Sequence, residues 1–225
     1  MIKQARLYST TSAKSILRRA RSEEDGIAAV EFALILPLML TLYIGTAEIS
    51  NTLMASRKET LVARTLSDLV AQQPSGTNLT DADLDSIFAA ATAIMAPFDG
   101  SVLKMTITSV EFVANAKSAT AFDAKPRWTA IRNGGTKRPC AVLTAGANTD
   151  SATATTMPTG IYQAGSVIVA DTSYTYVPAF GGTFMNFSQG GITFSHTTYM
   201  RPRNTTLIAY APASPPATST VCAAY

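Results

Sequence analysis

The chain has 225 residues, room for one ordinary domain plus a membrane or targeting segment but not for two large domains. Apolar residues make up 47% and charged residues only 15%, where soluble domains carry roughly 25% charged. With 8% aromatics, this excludes a disordered chain and calls for a packed core. The net charge of +3 resides in residues 1–26, where Lys3, Arg6, Lys14, Arg18, Arg19 and Arg21 outnumber Glu23, Glu24 and Asp25. The remainder is balanced. Basic charge confined to the flank of an apolar run is a membrane-topology signal, so no nucleic-acid partner is expected.

The apolar run is GIAAVEFALILPLMLTLYIGTA, Gly26 to Ala47. At about 1.5 Å per residue its 22 residues reach roughly 33 Å as a helix, enough to cross a bilayer. Basic residues precede the run and none follows it until Arg57, which places the N-terminus in the cytoplasm and the rest outside. Gly45-Thr46-Ala47 would end a cleaved secretory signal, but Glu31 and Pro37 fit such a signal poorly. A plain signal anchor fits the length and leaves Glu31 without a purpose, although a charged group in a membrane segment normally has a partner. Pro37 reads as a tolerated kink in a spanning helix.

Ile49 to Gln73 predicts an outward continuation of this helix. Val62, Leu66, Leu69 and Val70 share one face, and Pro74-Ser75-Gly76 ends it. A second helix is announced by Thr80 as cap, Asp83 as its capping-box partner, and a stripe of Leu84, Ile87, Phe88, Ala91 and Met95 stopped by Pro97 and Gly100. Asp81, Asp83 and Asp85 suit a helix N-terminus; the glycine and glutamate of a calcium loop are missing.

Beyond Gly100 the period becomes two. Leu103, Met105 and Ile107 predict a half-buried strand, and the change of phase at Val110 and Phe112 predicts a bulge near Ser109. Further strands are expected at Arg127–Arg132, Val167–Ala170, Thr172–Val177 and Ile192–Arg201. Residues 141–160, rich in Ala, Thr and Gly, read as a surface loop, and 211–220 as an extended tail. Helices first and strands afterwards predict an α+β fold, a long N-terminal helix packed on a domain with a second helix and an antiparallel sheet.

Cys140 and Cys222 are the only cysteines and His196 the only histidine, too few for a zinc site, and no metal or other cofactor is expected. In an exported domain two cysteines predict one disulfide; two buried free thiols are the alternative. His196 is the only conventional base, and it shares its phase with Ile192, Phe194 and Met200, which predicts a packed sheet residue. Ser101-Val102-Leu103-Lys104 matches an S-x-x-K string but opens a strand without companion motifs, and no Gly-rich phosphate loop is present. No enzyme is expected. Tyr199, Arg201 and Arg203 form a basic-aromatic group suited to phosphate or polysaccharide, or to solubilising an edge strand and contacting a neighbouring subunit.

Gly26-Ile27-Ala28-Ala29-Val30-Glu31-Phe32 resembles the processing motif of type IV pilins and pseudopilins. AAVEFALILPLMLTLYIGTAEISN, LVARTLSDLVAQ, LTDADLDSIFAAATAIMAPF and TTYMRPR are similar, more narrowly, to the TadE-like family, the minor pseudopilins of the tight-adherence (Flp-type) pilus machinery. The resemblance spans residues 18–113 and 165–203. It implies cleavage by a prepilin peptidase between Gly26 and Ile27, which makes Glu31 the fifth mature residue with Phe32 after it. A neighbour's Glu31 then neutralises the new ammonium of Ile27 in the apolar core of an assembly. The implied organisation is a basic cytoplasmic leader (1–26), a transmembrane and spine helix (27–73) and an exported pilin-like domain (74–225). The implied partners are the inner membrane, prepilin peptidase and pilus assembly proteins, including other pilins and pseudopilins, in a machine for surface adhesion. A membrane-anchored periplasmic binding module without assembly partners is the other function class.

Overall fold

In a computed structural model, residues 24–116, 118–146, 153–179, 191–212 and 218–222 are described. They divide into two compact units, Met1–Ile49 and Ser50–Tyr225, and helix α1 (Glu24–Ala71) contributes to both.

Within the first unit, α1 is apolar on every side. Residues 26–43 are all exposed, and the described part holds one helix long and apolar enough to cross a membrane. The helix runs through Pro37 without interruption. The hydroxyls of Thr41 and Thr46 donate to the carbonyls of Pro37 and Leu42, each at 2.8 Å, so both polar side chains are satisfied by their own helix. That is the condition for placing them in hydrocarbon.

The second unit is α+β. Helix α2 (Asp81–Ile94) and a one-turn 3-10 helix (Gly100–Val102) lead into strands β1 (Lys104–Asn115), β2 (Ser118–Arg132), β3 (Thr144–Gly146), β4 (Thr156–Pro158), β5 (Gly165–Tyr176), β6 (Ile192–Met200) and β7 (Ser219–Val221). The main sheet has the order β6-β5-β1-β2-β7, with all neighbours antiparallel, and β3 pairs with β4 in parallel. The expected helices lie where the pattern put them. Val62, Leu66 and Val70 are buried, and Leu69 is half-buried. Thr80 and Asp83 make the complete capping box. At the other end of α2, Lys58 Nζ donates to the carbonyl of Ile94 at 2.8 Å, a cation at a helix C-terminus.

The sheet carries two cores on opposite faces. Toward the helices, Leu103, Met105, Ile107, Trp128, Ala130, Ile168, Ala170 and Tyr174 pack with Val62, Leu66, Val70, Leu84 and Phe88. On the far face, Val110, Phe112, Ala124, Val167 and Val169 pack with Leu143 and Met157. This explains the phase change in β1. Its register against β5 is continuous from Lys104 to Phe112, so the strand itself is not bulged. The apolar residues change faces because the strand passes from one core to the other. The irregularity at Ser109 belongs to β2, where Trp128 and Pro126 face Ser109 and Val110 and Arg127 is the extra residue. Pro126, which cannot donate to a ladder, sits beside this irregularity. Nor is β1 half-buried, since Thr106 and Thr108 on its far side are buried too.

Other expectations change in length or kind. β2 begins nine residues before Arg127. The two strands expected on either side of Asp171 are a single strand, β5, because Asp171 is neutralised within the sheet by Arg138. The described part of 141–160 is no simple surface loop: it forms β3 and β4 and buries Leu143 and Met157 in the second core. Neither residue belongs to a periodic apolar pattern, so no pattern announces them. Part of the expected tail is β7, and residues 213–217 lie outside the described residues.

Candidate functional site

The Gly26–Ile27 peptide lies in the first turn of α1, where backbone N–H groups have no intrahelical partner. Gly26, Ile27, Glu31 and Phe32 are all exposed. Ile27 and Glu31 are four residues apart and share one helix face, and Phe32 adds a large exposed ring beside Glu31. The described chain therefore lays no side chain over Glu31 or its apolar surroundings. Such a surface can be covered by lipid or by other apolar helices.

Cys140 and Cys222 are joined in a disulfide with Cα atoms 5.4 Å apart. Its surroundings fix residues 218–222 to the edge of β2. The amide of Ile131 donates to Thr218 and that of Cys222 to Arg127, at 2.7 and 2.8 Å, while Lys137 Nζ donates to the Ser219 carbonyl and the Thr220 hydroxyl at 3.1 Å.

The remaining candidates are dispersed. His196 is half-buried opposite Thr172. Ser101 lies in the 3-10 turn capped by Asp99. The three aspartates of α2 point to separate tasks: Asp81 accepts from the Tyr210 hydroxyl, Asp83 serves the cap, and Asp85 pairs with Arg132. The Thr80 hydroxyl and amide hold the Asp83 carboxyl below its usual range. The basic-aromatic group does not converge. Arg201 donates to the carbonyls of Ala164 and Ile161 at 3.2 and 3.3 Å, Arg203 pairs with Asp68, and Tyr199 reaches into the second core. Burial pushes the Tyr199 phenol up to about 12; Arg138 opposes the shift and Asp171 adds to it.

Two buried charges escaped the sequence reading. Arg138 forks onto both oxygens of Asp171 at 2.9 and 3.1 Å and donates to the carbonyls of Thr153 and Thr156 at 3.1 Å. It thereby ties the β3–β4 excursion to β5. Glu59 is buried against the sheet, where the Thr172 hydroxyl donates to it. Burial pushes its carboxyl above the usual range, against the lowering effect of Thr172 and the His196 backbone. Its position between Ala55 and Val62 on the apolar face of α1 was a legible signal. For Arg138 there was none, because its partners are distant in sequence.

A cleft of about 330 Å³ opens over the polar part of the far sheet face, lined by Lys104, Thr106, Asp171, Ser173, Ser195 and Thr197 among others. Several of its polar groups are engaged: Ser195 with Ser173 at 3.2 Å, Thr197 with Asp171 at 2.8 Å, and Thr106 with the Thr136 carbonyl at 3.1 Å.

The family model described as TadE-like protein matches residues 26–65. The match opens at Gly26, includes Glu31 and Phe32, and stops within α1. No curated protein and no solved structure matches the chain.

Proposed function

We propose that this protein, whose TadE-like segment and N-terminal apolar helix fit a Tad pilus-associated membrane protein, is a minor pseudopilin. It inserts in the inner membrane with residues 1–26 in the cytoplasm and the Ser50–Tyr225 unit in the periplasm. Prepilin peptidase cleaves it after Gly26, and it takes part in assembling an adhesive tight-adherence pilus with other pilins, pseudopilins and assembly proteins. Its work is structural and not catalytic. The observation that carries this reading is Glu31, a carboxylate exposed on an otherwise apolar helix face at the head of the TadE-like match. In hydrocarbon such a group is costly without a partner. A new ammonium at Ile27 of a neighbouring subunit is a partner of the right charge. The polar cleft favours a second reading, an anchored periplasmic binding module.

Glu31→Ala separates the two. Under the assembly reading, piliation is lost while the protein remains in the membrane fraction at its normal level. Normal piliation in the variant would leave the binding module as the better reading.

A further inference from the structure

The outward face of α1 in the Ser50–Tyr225 unit is unlike the rest of that unit's surface among the described residues. Ala55, Glu59, Val62, Leu66 and Val70 face the core. On the opposite side Leu53, Met54, Arg57, Leu61 and Arg64 are all exposed and share one face at intervals of three and four residues. From Leu53 to Arg64 the stripe is about 16 Å long at the helical rise. Among the described residues of this unit the other large exposed apolar residues, Val102, Val142, Val177 and Val221, are single, separated positions. The cations of the stripe are free as well. Among the described residues the ion pairs use Arg127, Arg132, Arg138 and Arg203, and Lys58 is held by Ile94, whereas Arg57 and Arg64 make none.

Leu, Met and Leu interleaved with two arginines seven positions apart make a docking strip that is half apolar and, from Leu53 to Arg64, charged only by arginine; Asp68, next on this face, is already paired with Arg203. A second copy of this chain laid flush on it would set Arg57 and Arg64 against themselves, and like charges across an interface disfavour the pairing. We infer that this face binds a helix of a different subunit, amphipathic and acidic, whose carboxylates lie about seven positions apart opposite Arg57 and Arg64 and whose apolar residues cover Leu53, Met54 and Leu61. The inference deepens the assembly reading by specifying the chemistry of a partner, and it stands independently of cleavage at Gly26.

The test uses the full-length protein in the membranes of its native host, with a photo-crosslinking amino acid at Leu61 and the adducts identified by mass spectrometry. The expected adduct is a different protein, linked through a helical segment bearing carboxylates. In Arg57→Glu/Arg64→Glu its yield should fall about tenfold or more, as expected for the loss of two close ion pairs. Thermal melting of that double variant should be unchanged, since both side chains are exposed. An adduct with a second copy of this chain, adducts with lipid alone, no adduct, or an adduct insensitive to the charge reversal would each overturn the inference. The piliation of Glu31→Ala is read separately, so failure here and failure of the assembly reading are distinguishable.

Discussion

The two units of this protein obtain their structure in opposite ways. In the first, residues 26–43 of α1 are all exposed, and among the described residues local composition and backbone hydrogen bonding shape it. In the second, few residues have their role fixed locally; a sheet with different cores on its two faces decides which side chains are buried. The contrast shows that the apolar helix is written for a surrounding that the described residues do not supply, while the sheet domain supplies its own.

The sharpest way to break the contrast is to truncate one side chain in each unit, a buried one in the second and an exposed one in the first. Arg138→Met strands Asp171 in the sheet and releases the carbonyls of Thr153 and Thr156. Deleting one partner of a buried ion pair costs about 3–5 kcal/mol. Urea unfolding of the detergent-solubilised protein should show that loss in the midpoint. Leu36→Ala should leave the midpoint where it was, because Leu36 is exposed and its contacts belong to whatever surrounds the helix. The disulfide comes next. Cys140→Ser/Cys222→Ser unties Cys222 from Cys140, 82 positions away, while the pairing of β7 with β2 remains, and a disulfide typically contributes about 2–4 kcal/mol. Melting with and without reductant measures it, and the double variant should melt like the reduced wild type.

How far the sequence reaches follows the same division. The long apolar helix is legible because its composition says everything within one element. Thr80 with Asp83, and Leu103 to Ile107, are legible because capping and alternation are also local. Arg138, Leu143, Met157 and β7 are not, since each acquires its role from a partner far away in the chain. β1 is the instructive intermediate. Its change of phase was visible, but a phase change has two causes, a bulge or a change of core, and only the surrounding elements distinguish them.

The smallest effect depends on pH. Burial raises the Glu59 carboxyl, so the folded state favours its protonated form. Its contribution to stability is complete below the ordinary carboxylate range and is lost as pH rises through the raised value. Glu59→Gln should therefore melt above wild type at neutral pH, with the gap closing as pH falls. A gap that widens in acid would mean that the carboxylate is better held as an anion by Thr172 and the His196 backbone.

The central claim is that the helix is written for an assembly reached through processing, and the N-terminus of the mature protein tests it most directly. Intact-mass measurement on protein extracted from the membranes of its native host should find a chain beginning at Ile27, with Gly26 and everything before it absent. A chain that still carries residues 1–26 would contradict it, and the protein would then be a permanent inner-membrane component.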